Sequence, residues 1–474
     1  MMRVIFAILM LSVGLTGCYV PNKLYREPEH SLIQVPPPPP SLPISEQQPD
    51  GPPCTAQSLK LRPCLAFVEF DDMGEKWSQE SQPVGAGVTI DNTSQLSNAI
   101  KIIRSAVQQD PNALIVTFTH GWKHNAAVDD ANIQGFKQVL DDFHDNRYKN
   151  HVVVGVYLSW RGDLISKYSP VRRTFSYFNR EAAATRIPGA SFTDALIRIA
   201  NAAHSVHGAT AEQRPLVVFV GHSFGGLALE RALTQATVHE VDAALAAGET
   251  PQFQQLADLV IFVNSAGAAT EAKQTLDLFA ANHLIYNADG HPDMPLFISV
   301  SSSSDLATKL AMPIGHGLPF LEYKARGGLR DKDPLACFDP HSSDPADAQS
   351  NFLIPAPSQG AFFMSTAAHM EILQSHEVVE ETDPVKRKQC DVHNYPGEHV
   401  LFTYPLPESG RCFRVREKPH RCNGTPYWIM EIDPSIVPDH GTIFTDRFIA
   451  FLSNFMPTSA ELDQNVRPAL MKAR

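Results

Sequence analysis

The segment "LVVFVGHSFGGLALE", residues 216–230, sets one serine in an unusual place. Ser223 is the centre of Gly221-His222-Ser223-Phe224-Gly225, directly after an apolar run and directly before a leucine- and alanine-rich one. A buried strand that turns into a helix within a few residues lifts the central side chain clear of the sheet. It also sets that side chain at the positive end of the helix. Glycines flank the serine because a Cβ at those positions would meet the neighbouring strand or helix. Such a turn is strained, and strain that persists usually serves something. A hydroxyl held this way can act as a nucleophile once it has a base, an acid to orient that base, and N–H groups for a developing oxyanion. The alternative is a turn with a purely structural role.

The elements that must position such a group recur along the chain. Strand-length apolar runs are "CLAFVEF", "ALIVTFTHGW", "HVVVGVYLSW", "LVVFVGHS", "LVIFVNSAG" and "LFISVSSSSD". From the second onward they are nearly continuous rather than alternating, the pattern of strands buried on both faces. Helical patterns are expected over 181–207 and 226–246, so strands and helices alternate. That alternation predicts an α/β fold with a mostly parallel sheet flanked by helices. From about Ile314 to Thr425 the pattern weakens into a Pro-, Asp-, Ser- and Gly-rich stretch. "YWIMEID", residues 427–433, then predicts one more core strand, and "GTIFTDRFIAFLSNF" a closing amphipathic helix.

The Gly-His-Ser-Phe-Gly turn, with His120-Gly121-Trp122 ending an earlier strand, resembles the α/β-hydrolase superfamily, in particular its bacterial esterase and lipase-like branch. The resemblance covers roughly residues 64–315 and 426–456. It implies an oxyanion hole made by the backbone N–H groups of Trp122 and Phe224, with His120 holding the loop. It also implies the chain order serine, acid, histidine. Asp305 ends the strand "LFISVSSSSD", where this fold presents its acid; an Asp before "LATKLA" is equally a good helix N-cap. Glu271 is the weaker alternative acid. The candidate bases are His316, His341, His369, His376, His393, His399, His420 and His440. His440 alone lies between the final strand and the closing helix. His222 adjoins the nucleophile but is expected to point away from it. Trp122, Trp160 and Phe224 could line an acyl pocket or belong to the core, and Arg161 and Asp163 could border the site.

The expected reaction is cleavage of a carboxylic ester, a small-molecule or lipid ester, through an acyl-enzyme on Ser223, with no cofactor. The rival readings are a non-catalytic binding or scaffold lipoprotein on the same fold, and an acyltransferase. No P-loop pattern and no metal-ligand spacing occurs. A net charge of -12 and the lack of a basic cluster argue against a nucleic-acid partner.

The N-terminus begins with Arg3 and an apolar run, Val4 to Val13, too short to span a bilayer comfortably. Its end, Leu15-Thr16-Gly17-Cys18, resembles the bacterial lipobox. That resemblance implies cleavage before Cys18, acylation of its thiol and membrane anchoring. The alternative is an ordinary signal peptide that happens to carry a cysteine. Tyr19 in place of an aspartate implies the outer membrane of the bacterial cell envelope. The expected organisation is a signal peptide over 1–17, a Pro-rich tether over 18–63, a hydrolase domain over 64–315 and 426–474, and an insertion or cap over 316–425. The tether contains "VPPPPPSLP" and would hold the folded part away from the membrane, unless it is a tail without a role. Six cysteines remain: Cys54, Cys64, Cys337, Cys390, Cys412 and Cys422. An even count in an exported chain predicts disulfides. Spacing favours Cys54–Cys64 and Cys412–Cys422, leaving Cys337–Cys390, without deciding the pairing.

Overall fold

The computed structural model describes residues 23–37, 50–77, 94–163, 177–205, 214–248, 256–267, 269–281, 295–305, 375–391, 393, 395, 400–406, 410–417 and 426–456. Cys18, Cys337, Cys422, His316, His341, His369, His399 and His420 lie outside these residues.

The described chain forms one mainly parallel sheet flanked by helices, an α/β architecture consistent with an α/β-hydrolase-like fold. Its strands are β1 (Leu32–Gln34), β2 (Cys64–Phe70), β3 (Leu114–Thr119), β4 (Val153–Trp160), β5 (Leu216–His222), β6 (Leu259–Val263), β7 (Phe297–Ser302), β8 (His376–Glu380), β9 (Val400–Leu406), β10 (Arg411–Glu417) and β11 (Tyr427–Ile432). The spatial order is β1-β2-β4-β3-β5-β6-β7-β11-β8-β10-β9. Every neighbouring pair from β2 to β8 is parallel. β1, β10 and β9 join antiparallel at the two margins. Strands β2 to β6 are buried along their whole length, as their unbroken apolar runs require.

Helices cover both faces. They are α1 (Gln95–Gln109), α2 (Ala131–Asp142), α3 (Tyr177–Arg186), α4 (Ala190–Ala203), α5 (Phe224–Ala247), α6 (Ala269–Ala281), α7 (Pro384–Gln389) and α8 (Asp446–Asn454). The helix expected over 181–207 is two helices, broken where Pro188 and Gly189 follow α3. Proline cannot supply the N–H that a continuous helix needs. Leu96, Ile100, Ile103 and Val107 turn one stripe of α1 inward, with Ser94 capping its start. α8 begins where the Thr445 hydroxyl accepts the Phe448 N–H at 3.0 Å, and buries Phe448, Phe451 and Leu452.

Three expectations need correction. First, part of the stretch read as a tether is built into the fold. Residues 32–34 pair with β2, and Val35 is fully buried. Second, the stretch read as a loop-rich cap supplies β8, β9, β10 and α7, which extend the sheet beyond β11. Arg411, Arg414 and Arg416 on β10 pair with Glu380, Glu381 and Glu377. That charge ladder interrupts the apolar run that would have marked the strand. Third, Cys412 is bonded to Cys390, not to Cys422. Antiparallel pairing of β10 with β8 sets Phe413 opposite Glu380 at the end of β8, which brings the start of β10 beside α7 and the cysteine that follows it, with the two Cα atoms 5.6 Å apart. Among the described residues, Cys54–Cys64 also forms a disulfide, with the expected partners.

Candidate active site

β3 and β5 are neighbours at the centre of the sheet, but their outgoing connections run to opposite sides. The crevice beyond the carboxyl ends of such strands is where open α/β sheets hold their ligands. Ser223 sits there, between the end of β5 and the first residue of α5, at φ 55° and ψ -122°. This left-handed region is costly for a residue with a Cβ. The surroundings hold it: the Ser223 N–H donates to the Val263 carbonyl at 3.1 Å, and its own carbonyl accepts from Ala266 and Leu227. The flanking glycines have steric reasons. A Cβ on Gly225 would stand 2.3 Å from the Thr119 carbonyl oxygen, and one on Gly221 2.8 Å from the Gly226 Cα.

Three side chains separated widely in sequence meet at this turn. His440 Nε2 is 2.8 Å from Ser223 Oγ, and His440 Nδ1 is 2.9 Å from Asp305 Oδ2. Asp305 is fully buried, while the His440 side chain keeps about a quarter of its surface exposed (28%). A buried carboxylate on Nδ1 favours the tautomer whose Nε2 can accept the serine proton. Glu271, the other acid considered, is instead paired with Arg231 at 2.5 Å. His376 is buried in β8 against the Trp428 ring, with centroids 3.9 Å apart. His393 is exposed on the segment beyond α7.

The His120-Gly121-Trp122 turn lies over the serine. A Cβ on Gly121 would come within 2.7 Å of Ser223 Cβ and 3.2 Å of its Oγ. His120 is fully buried, and burial holds its imidazole neutral, with a pKa lowered to about 4. Its Nε2 accepts the Trp160 N–H at 3.1 Å, leaving Nδ1 to donate to the Gly121 carbonyl at 2.9 Å. The carbonyl of Gly121 and the N–H of Trp122 belong to one planar peptide. Fixing the first therefore fixes the direction of the second. Trp160 donates its indole N–H to the His120 carbonyl at 2.8 Å and is buried. Its indole thus supports this loop. Phe224 is also buried, whereas Trp122 is partly exposed, with the Lys123 ammonium 4.0 Å from its ring centre. Arg161 and Arg180 share Asp72 on the same edge of the sheet, and Asp163 is buried there.

Several positioning groups carried little signal in the sequence. His222 is buried, and its Nε2–H donates to the backbone carbonyl of His440 at 2.7 Å. Burial and the neighbouring His440 lower its pKa to about 3, so it stays neutral. Asn264, at φ 44°, accepts the Ser302 N–H at 3.0 Å and turns its amide toward the carbonyls of Asp439 and His440, each 3.4 Å away. Ser302 and Ser304 donate to the carbonyls of Val437 and Pro438 at 2.6 and 2.7 Å. The serine run at the end of β7 thus stitches the loop of Asp305 to the loop of His440. A run of hydroxyls at the carboxyl end of a strand was the one available clue.

Among the described residues, no group of three or more His, Cys, Asp or Glu is placed to hold a metal ion. Compared with known proteins, the chain matches no family model, no curated protein and no solved structure.

Proposed function

We propose that this chain is a serine hydrolase acting on carboxylic esters, lipid esters among them. The observation that carries the reading is the continuous hydrogen-bonded line from Ser223 Oγ through His440 to buried Asp305. Ser223 Oγ attacks the ester carbonyl carbon as His440 Nε2 takes its proton. The carbonyl oxygen becomes an oxyanion facing the N–H groups of Trp122 and Phe224. Collapse of the tetrahedral adduct expels the alkoxide, which receives the proton from His440 and leaves as the alcohol. Water, deprotonated by the same nitrogen, then attacks the acyl-serine, and as this second adduct collapses His440 returns the proton to Ser223 Oγ and the carboxylic acid is released. Asp305 keeps the imidazole oriented and stabilises its cationic form. No cofactor enters this cycle.

We further propose export and acylation at Cys18, with the mature chain held on the outer membrane of a bacterial envelope. The lipobox-like Leu15–Cys18 and Tyr19 support that part. One experiment tests the reaction. Purified protein is treated with a fluorophosphonate, and esters of graded acyl length are assayed beside Ser223→Ala. Covalent labelling confined to Ser223, with turnover lost in the variant, is expected. A folded protein that neither labels nor turns over any ester is a scaffold instead.

A further inference from the structure

The N-terminal segment leaves the fold at an informative place. β1 runs antiparallel to β2, with Leu32 opposite Ala66 and Gln34 opposite Cys64. Followed backward toward its N-terminus, the chain therefore climbs to the carboxyl edge of β2. There it is tied down. The Tyr25 and Arg26 N–H groups donate to the Glu69 carboxylate, each at 2.9 Å. Arg26 is buried, lies 3.7 Å over the Phe67 ring, and donates to the Ala126 carbonyl at 2.9 Å and to Asp50 at 2.5 Å. Gln95 holds the Arg26 carbonyl at 2.6 Å. Ala126 follows the His120–Trp122 turn, so this is the edge that carries Ser223. β2 and β5 are separated in the sheet only by β4 and β3. At a strand spacing of about 4.8 Å, that puts the exit point roughly 15 Å sideways from the nucleophile.

The length of chain beyond this point is short. Five peptide steps join Cys18 to Lys23. They reach at most about 18 Å when fully extended. β2 alone, with 7 residues, is about 23 Å deep at 3.3 Å per residue. A lipid on Cys18 could not lay the far edge of the sheet on a bilayer, because the leash is shorter than the sheet. It can lay the near one. The proline run that looked like a spacer comes after the docked residues, so it adds nothing to the leash.

We infer that the anchored protein holds the Ser223 edge of its sheet against the bilayer, and that its substrate is an ester-linked lipid of that same membrane. The inference rests on the anchored serine-hydrolase reading above and narrows it, from esters in general to esters presented at the membrane surface.

The test uses the full-length acylated protein in vesicles of diacyl glycerophospholipids. Val128 is exposed in the loop after β3, on the Ser223 edge, and Leu245 is exposed near the end of α5, on the opposite edge. A fluorophore is placed on Val128→Cys or Leu245→Cys, with unsubstituted protein as the labelling blank, and nitroxide lipid is added. Quenching at position 128 is expected to exceed that at 245 several-fold. In parallel, a twenty-residue Gly/Ser insert between Pro21 and Asn22 lengthens the leash by an average of about 25 Å. Phospholipid hydrolysis is expected to fall at least 5-fold in that variant, with turnover of a short-chain soluble ester unchanged. Equal quenching at both positions overturns the inference while leaving the hydrolase reading intact. So does soluble-ester turnover with phospholipid untouched, or with phospholipid turnover indifferent to the insert. Absence of turnover on every ester, with Ser223 unlabelled, brings down the hydrolase reading. Absence of fatty acid on Cys18 brings down the anchor. Either result removes the inference as well, and each is recognisable by its own measurement.

Discussion

His222 stands beside Ser223, yet its ring N–H goes to the backbone carbonyl of His440, the proposed base. The bond joins the two halves of the site directly, since His440 otherwise rides on a loop. Losing it leaves Ser223 and Asp305 in place but frees the imidazole to wander, and a misplacement of about 1 Å can cost on the order of 100-fold. His222→Ala should therefore lower kcat by about 10- to 100-fold with little change in KM. His222→Gln should recover most of it, because the glutamine amide can reach the same carbonyl. A role confined to packing would show no such rescue. Ser223→Ala and His440→Ala are each expected to reduce kcat/KM by about 10⁴-fold or more, and the double variant to be no slower than either. Multiplying losses in the double variant, or an active His440→Ala protein, would sink the assignment of the base. Asp305→Asn should cost less than either, since it disturbs orientation and not the proton acceptor itself.

α5 holds the elbow from below, and its packing leaves little freedom. Gly225→Ala would drive a Cβ into the backbone of β3, where no side-chain rotation can relieve it. Overpacking of this kind typically costs about 1–3 kcal/mol, and here it also tilts the residue that bears the nucleophile. Loss of turnover together with a lowered urea midpoint is expected; an alanine variant with full activity would show that the close approach is not needed. Two turns along the same helix, Glu230 is buried and accepts the Tyr427 hydroxyl of β11 at 2.8 Å. Burial, then the nearby Glu271 charge, raises its pKa from 4.5 to about 8. Between those values the folded state holds a proton that the unfolded state releases. Stability should thus fall as pH rises through this window, by at most about 1.4 kcal/mol per pH unit, and level off above about 8. Glu230→Gln should flatten that fall. Urea midpoints from pH 5 to 8 in both proteins check it, and parallel curves would mean that the carboxyl is ionised in the fold.

On the scale of the molecule, the site occupies the middle of a sheet whose margins are built differently. The strands that carry Ser223, Asp305 and the approach to His440 are β5, β7 and β11, all parallel and internal. The antiparallel β8-β10-β9 margin is held by the Cys390–Cys412 disulfide and by its arginine–glutamate pairs. The bridge closes a loop with a sequence separation of 22. Cys390→Ala/Cys412→Ala should lose about 3 kcal/mol of stability by restoring freedom to the unfolded chain. Turnover at 25 °C should survive, because no residue of the hydrogen-bonded line lies on that margin. Inactivation without a change in the urea midpoint would show that the margin reaches the site. Non-reducing peptide mapping should recover Cys412 joined to Cys390.

The local sequence around Ser223 was enough to locate the elbow, because a glycine-flanked serine between a strand pattern and a helix pattern is itself the mark of that turn; the contact that requires Gly225, with the Thr119 carbonyl of β3, comes from far away in the chain. The parallel core was equally legible, since strands buried on both faces must be continuously apolar. Asp305 and His440 could be named from their places at the ends of strands, but only the tertiary structure brings atoms 135 residues apart to hydrogen-bonding distance. The groups that position them were invisible for the same reason. His222, Asn264, Ser302 and Ser304 act on backbone carbonyls of a distant loop, and a carbonyl leaves no mark on the residue type that bears it. The disulfide pairing followed strand register rather than proximity in sequence. The course of the N-terminal segment depended on Arg26 finding Asp50, the Phe67 ring and the Ala126 carbonyl together. Composition could show that a proline run forms no core of its own; it could not show that the residues before that run are paired with β2, because burial is a property of the assembled fold.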